Sequence, residues 1–131
     1  MKTTRINPQS LLSTLWIFIL FNIIFRDLHQ FLAEGYIQDM IDLRLSEKSL
    51  LWYAFILEIP IAMVLLTRIL MPKTNKWFNL IAASIMLIGL LFGLPSADLD
   101  DIFFTVVNMI SLVAIGRIAI LRLQPQNIRK E

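Results

Sequence analysis

The sequence predicts an all-α fold: a four-helix transmembrane bundle with both termini cytoplasmic and a short amphipathic helix in the first outer loop. Three observations predict it. Four apolar stretches, at about 11–31, 49–71, 77–94 and 99–121, take up most of the 131 residues. Each is close to the ~20 residues that a helix rising 1.5 Å per residue needs to cross a hydrocarbon core of ~30 Å. Apolar residues make up 57% of the chain and charged residues 17%, with a mean hydropathy of +0.71, far from the balance of a soluble domain. The third observation is an uneven division of Lys and Arg between the connections, which sets the orientation.

The length leaves room for one bundle over residues 1–131 and no second domain, because the termini and loops are too short to bury a core of their own. The chain has no cysteine, which excludes disulfides, thiolate chemistry, iron–sulfur clusters and cysteine-containing zinc sites.

The first span could be mistaken for a signal peptide, since Lys2 and Arg5 precede an apolar run from Leu11 to Phe25. Arg26 and Asp27 stand where a small-residue cleavage site belongs, so the segment reads as a retained span. Ser10, following Pro8, is placed to cap it. In the loop over 32–48, Tyr36, Ile37, Met40, Ile41 and Leu45 recur at helical spacing opposite Gln38, Asp39, Asp42 and Arg44. That pattern fits a short helix on the outer surface, a lid, or the last turns of a longer first helix.

Pro72 stops the second span, and the connection to Lys76 is short enough to make the second and third spans antiparallel neighbours. The third span carries Gly89-Leu90-Leu91-Phe92-Gly93, a GxxxG pattern continuing a face of Ala82, Ala83 and Met86. It is read as a surface for packing within the bundle in preference to dimerisation. Pro95-Ser96-Ala97-Asp98 makes a tight turn whose Asp98 caps the fourth span, and Pro125 closes it. Trp16, Trp52 and Trp77 fall near span ends and read as interfacial anchors.

With four spans the termini share a side. That side holds Lys2, Arg5, Arg68, Lys73, Lys76, Arg122, Arg129 and Lys130, with Arg117 a turn deeper and able to snorkel. The other side has Arg26, Arg44 and Lys48, so the positive-inside rule makes both termini cytoplasmic. Asp27, Glu34, Asp39, Asp42, Glu47, Asp98, Asp100 and Asp101 gather at the outer face and give it a negative field.

A charge near the membrane centre costs about 2.5–3.5 kcal/mol on insertion scales, so each one needs a partner or a task. Glu58 lies about 14 Å into the second span, near the midplane. Pro60 follows, bending the helix and freeing the carbonyl of Ile56. Ala54 and Ala62 flank Glu58 at four residues on either side, a small-residue face that turns it toward the bundle. Asn22, Arg26 and His29 form one stripe on the first span. Asp101, Thr105, Asn108 and Ser111 form another on the fourth. The depths match, which makes Arg26 the expected counter-charge to Glu58 in a polar cluster with Asn22, His29, Asn108 and Asp101. Such a cluster is either a satisfied buried pair that fixes helix register or a binding or proton-carrying site. A lone His without cysteine argues against a transition-metal site. No cofactor, metal or nucleic-acid partner is expected.

The residues carry a resemblance. Leu12-Ser13-Thr14-Leu15-Trp16-Ile17-Phe18 with Asn22 and Asp27, then Glu58-Ile59-Pro60-Ile61-Ala62-Met63-Val64-Leu65-Leu66-Thr67-Arg68, then Asn75-Lys76-Trp77-Phe78-Asn79, resemble a family of small bacterial four-span membrane proteins classed as a domain of unknown function. The Glu-Ile-Pro-Ile-Ala-Met stretch with Arg68 is its most specific part. Thr67 stands where that family more often has Ser, and Lys76 where it more often has Arg. The resemblance implies a bacterial inner-membrane setting and supplies no activity.

Three functions compete. A non-enzymatic bundle or accessory subunit, partnered by the lipid bilayer and by other copies or proteins, needs no residues beyond those named. A small proton-coupled transporter would use Glu58 and would have to oligomerise to enclose a path. It has a superficial likeness to small multidrug-resistance exporters, which place their glutamate on the first helix, not the second. A membrane enzyme ranks last, because no Ser-His-Asp spacing, phosphate loop, metal cluster or thiol is present.

Overall fold

A computed structural model describes residues 6–93 and 98–123. The helices there are α1 (Pro8–Gln30), α2 (Tyr36–Asp42), α3 (Glu47–Ile69), α4 (Pro72–Gly93) and α5 (Leu99–Arg122), and among the described residues there is no strand. α1, α3, α4 and α5 are each long and apolar enough to cross a membrane, as the four apolar stretches predict. The expected turn at 95–97, the stop at Pro125, and Lys2, Arg5, Arg129 and Lys130 lie outside the described residues.

Local chemistry sets the helix ends. Pro8 fixes the first backbone angle of α1, and Asn7, not Ser10, is the cap: its side chain accepts from the Gln9 amide at 3.0 Å. Proline at the first helical position starts the helix earlier than the hydropathy does, which leaves Ser10 inside the first turn. Ser46 caps α3 by accepting from the Ser49 amide, while Glu47 and Arg68 sit at the ends the helix dipole favours. Asp98 occupies the cap position of α5 without a side-chain cap bond. Pro72 does follow the end of α3, yet it also begins α4, five residues before the third apolar stretch. The polar turn Lys73 to Lys76 extends that helix beyond its apolar length.

The four long helices form an antiparallel ring in the order α1, α3, α4, α5. α1 meets α3 and α5 broadly, α4 packs on α5, and α3 meets α4 most thinly. Leu12, Trp16, Ile19 and Ile23 line one face of α1. Against them lie Met63 of α3, Ala82, Ala83 and Met86 of α4, and Leu112, Ile115 and Ala119 of α5. Trp16 is fully buried in this core and is no interfacial anchor, whereas Trp52 and Trp77 are exposed as expected. Its seat is explained by a partner for its indole N–H, described below. The Ala82, Ala83 and Met86 face packs inside as expected, but Gly89 does not continue it. It is exposed, and nothing lies within 4 Å of where its Cβ would stand.

The bundle is uneven along its axis. One end, holding Arg68, Lys73, Lys76 and Arg122, is tightly packed and is called here the basic end. Toward the opposite, acidic end, every residue of α3 from Leu50 to Glu58 is exposed, more than two turns without a buried residue. α3 accordingly buries the least of the four spans. The change falls at Pro60, which is buried and cannot donate to the Ile56 carbonyl. Beside the uncovered turns runs a groove of about 540 Å³ lined by Lys48, Leu51, Trp52, Phe55, Ile56 and Ile59.

In the first loop a separate short helix forms, and α1 ends at Gln30 before it, so these residues are not the last turns of a longer first helix. α2 has no buried residue, and Tyr36 ties it down by donating to Gln30 Oε1 at 2.9 Å and setting its ring edge-on to Phe31. Gly35 makes the turn into α2 at φ +83°, where a side chain is strained. Gly35→Val is expected to cost about 1–2 kcal/mol and to speed proteolytic cleavage of this loop in membrane-embedded protein, with the rest of the chain protected.

Candidate functional site

Two polar regions occupy the bundle, one fully bonded and one not. The bonded one lies in the basic half. Trp16 Nε1 donates to Asn79 Oδ1 at 2.8 Å, Asn79 Nδ2 donates to Asn75 Oδ1 at 2.7 Å, and Asn75 Nδ2 donates to the Thr67 carbonyl at 2.6 Å. Thr67 in turn donates to the Met63 carbonyl. Alongside, Ser13 Oγ donates to the Val64 carbonyl at 2.9 Å and accepts from Arg68 Nε at 2.9 Å. Gln9 Nε2 reaches the Leu70 carbonyl. Trp16, Ser13, Thr67, Asn75 and Asn79 are all completely buried.

The reason for this cluster is the end of α3. The last carbonyls of a helix lack intrahelical donors, and in lipid no water replaces them. The Asn75 and Gln9 amides supply donors to Thr67 and Leu70. Each side-chain amide and hydroxyl of the cluster has its partner, which is the signature of a register lock between α1, α3 and α4. Asn79→Leu, by contrast, is expected to leave two of these groups orphaned, as argued below.

Ser13, Trp16, Thr67, Asn75 and Asn79 all stand in the stretches that carry the family resemblance, and the resemblance by itself does not group them. The available signal was spacing: Asn75 and Asn79, and Ser13 and Trp16, each share a helix face at one depth.

The second region is the acidic half, where the polar cluster is expected, and its groups are scattered. Arg26 does not meet Glu58. Its guanidinium pairs with Asp27 at 3.0 Å, a neighbour at the rim where neither charge has to be desolvated. His29 Nδ1 lies 3.0 Å from Asp100 Oδ2, and Gln30 Nε2 donates to Asp101 Oδ1 at 2.7 Å, so these rim contacts join α1 to α5. Among the described residues Asn108, 1% exposed, has neither Oδ1 nor Nδ2 partnered, and Asn22 Nδ2 is unpartnered too. Thr105 and Ser111 flank Asn108 on the buried face of α5, and Ser111 donates to the Val107 carbonyl.

Glu58 corrects the expectation most plainly. It is exposed on α3, with no salt bridge to it among the described residues. At about 100° per residue, Glu58 stands opposite Pro60, Met63 and Thr67, the buried face of α3. Depth along a helix can be counted from sequence, but azimuth depends on which stripe the neighbours cover. Of the flanking alanines expected on an inward face, Ala54 is exposed with it and Ala62 is half-buried.

No curated protein and no solved structure matches the chain. One family model does, over residues 3–126, nearly the whole length. The chain belongs to the family of unknown function DUF6326.

Proposed function

We propose that the protein is a non-enzymatic integral membrane bundle of the bacterial inner membrane, with both termini cytoplasmic, that acts as a subunit of a larger membrane assembly. The observation that carries this is Glu58: a carboxyl near the midplane that its own bundle leaves uncovered. A charge so placed costs about 2.5–3.5 kcal/mol against lipid, and another protein surface removes the cost. The uncovered turns Leu50 to Glu58 around it support the same reading.

The orientation is supported by the division of charge between the two ends. The cysteine-free chain allows a direct check. A cysteine placed at Glu34 is expected to react with a membrane-impermeant maleimide from outside, and one placed at Lys73 only after permeabilisation. The reverse pattern inverts the topology. For the assembly, extraction of the natural chain in mild detergent is expected to give a discrete species of protein mass well above 15.2 kDa. A monomer at every detergent concentration would sink the reading.

One observation favours a second reading as a small proton-coupled transporter. Glu58 is an ionisable group in the span with no ion-pair partner among the described residues, and groups so placed mark ion and substrate pathways in membranes. In vesicles enclosing a pH-sensitive dye, a substrate-driven proton flux that disappears in Glu58→Gln would establish transport. Absence of flux in the natural chain across candidate cations would dismiss it.

A further inference from the structure

The geometry points to a water-binding site between α1 and α5, formed by Asn22 and Asn108 about 10 Å inward of the acidic rim. The aqueous phase at that end thereby reaches into the seam between these two helices. The site does not depend on the assembly read at Glu58.

Two rim contacts set the register of the seam. His29 Nδ1 lies 3.0 Å from Asp100 Oδ2, and Gln30 Nε2 donates to Asp101 Oδ1 at 2.7 Å. Because α1 and α5 run antiparallel, each step inward along one is matched by an equal step along the other. Asn22 stands seven residues before His29, and Asn108 seven after Asp101, which is two turns down on the faces that make the rim contacts. The two amides therefore share one level. Asn108 is 1% exposed, and among the described residues neither its Oδ1 nor its Nδ2 has a partner, nor does the inaccessible Nδ2 of Asn22. The amides do not bond to each other, and hydrocarbon supplies no partner in their place.

The chemistry of these three atoms selects the occupant. Two are N–H donors, which a bare cation does not satisfy, and one is a carbonyl acceptor, which an anion does not. An anion would also have to pass Asp100 and Asp101 at the rim. Ile19, Ile23 and Leu112 are buried and flank the two amides along their helices, so the occupant is the smallest molecule that both donates and accepts. Water accepts from Asn22 Nδ2, and at the edge of the Asn108 amide it accepts from Nδ2 while donating to Oδ1. That makes the three bonds usual for a buried water. Its second O–H has hydroxyl acceptors nearby in Thr105 and Ser111, both buried and each about one turn from Asn108. Thr105 also stands between Asp101 and Asn108, a polar step on the way in from the rim. In the basic half the amides of Asn75 and Asn79 bond to the protein itself and need no water, which provides an internal comparison.

The test is solid-state NMR on the full-length chain in phospholipid vesicles, with heavy nitrogen and carbon isotopes at asparagine and signals assigned from a uniformly labelled sample. Magnetisation started on water protons is read on the side-chain amides. Transfer is expected at Asn22 and Asn108 and absent at Asn75 and Asn79. Asn108→Leu should abolish the transfer at Asn22, and Asn108→Ser, which keeps a polar group at that level, should retain part of it.

No transfer at either amide overturns the proposal, as does transfer at only one of them, since a shared water reaches both. A direct carboxamide contact between Asn22 and Asn108 without water transfer means that the amides close on each other, and transfer from acyl-chain protons alone means that hydrocarbon fills the gap. Either result overturns it, and so does transfer at Asn22 that survives Asn108→Leu. The natural chain by itself gives the deciding measurements, so the outcome holds even where Asn108→Leu does not fold.

Discussion

Replacing Trp16 by alanine is expected to destabilise the bundle by about 3–5 kcal/mol, the range for truncating a large buried aromatic, and more than any other single truncation in the chain. Trp16 is the largest fully buried side chain, and its indole fills the space between α1 and the Asn79 side of α4. Without it the helices face a void that lipid tails cannot reach, and Asn79 Oδ1 loses its donor. Packing is the larger part, because hydrogen bonds between membrane helices average only about 0.6 kcal/mol and reach about 1.7. Trp16→Phe should therefore recover most of the loss. Reversible unfolding in bicelles, followed by circular dichroism, measures both. Equal losses for Trp16→Ala and Trp16→Phe would mean that the hydrogen bond, and not the ring, holds the site.

Asn79→Leu is expected to cost about 1–3 kcal/mol, the penalty for leaving buried polar groups unmatched, although leucine is the better residue in lipid. It strips the acceptor from Trp16 Nε1 and the donor from Asn75 Oδ1, and neither group has water to turn to. The pair Trp16→Phe with Asn79→Leu should be less damaging than the sum of the singles, since the second change removes a partner already lost. A double-mutant cycle gives that coupling directly. Strict additivity would show that the 2.8 Å contact contributes nothing to folding.

Much of the architecture was legible because lipid narrows the choices. Only helices satisfy a backbone that crosses hydrocarbon, so runs such as 49–71 and 99–121 gave α3 and α5 to within two residues. α4 was harder: Lys73, Asn75 and Lys76 look like loop residues to a hydropathy count, yet Asn75 is completely buried because it serves the end of a neighbouring helix. The polar residues show the same divide. That Glu58 and Asn108 sit in the span interior follows from counting, while the side each one faces depends on tertiary contacts that no single helix encodes. Arg26 found the nearest carboxylate, Asp27, where counting matched it to a distant one. Trp16 was misplaced because tryptophans near helix ends usually mark the interface, and this one instead has an asparagine waiting in the core.

Pro60 gives the molecule a stiff end and a compliant end. Below it α3 is bolted to α1 by Ser13 and to α4 by Asn75, which donate to the Val64 and Thr67 carbonyls. Above it the helix is a lever, with one missing backbone bond at its pivot and no buried residue over Leu50 to Glu58. A load on the lever therefore bends α3 at Pro60 before it strains the bolted half. The acidic half of α3 can swing while the basic end, where α1 begins and α5 finishes, keeps its shape.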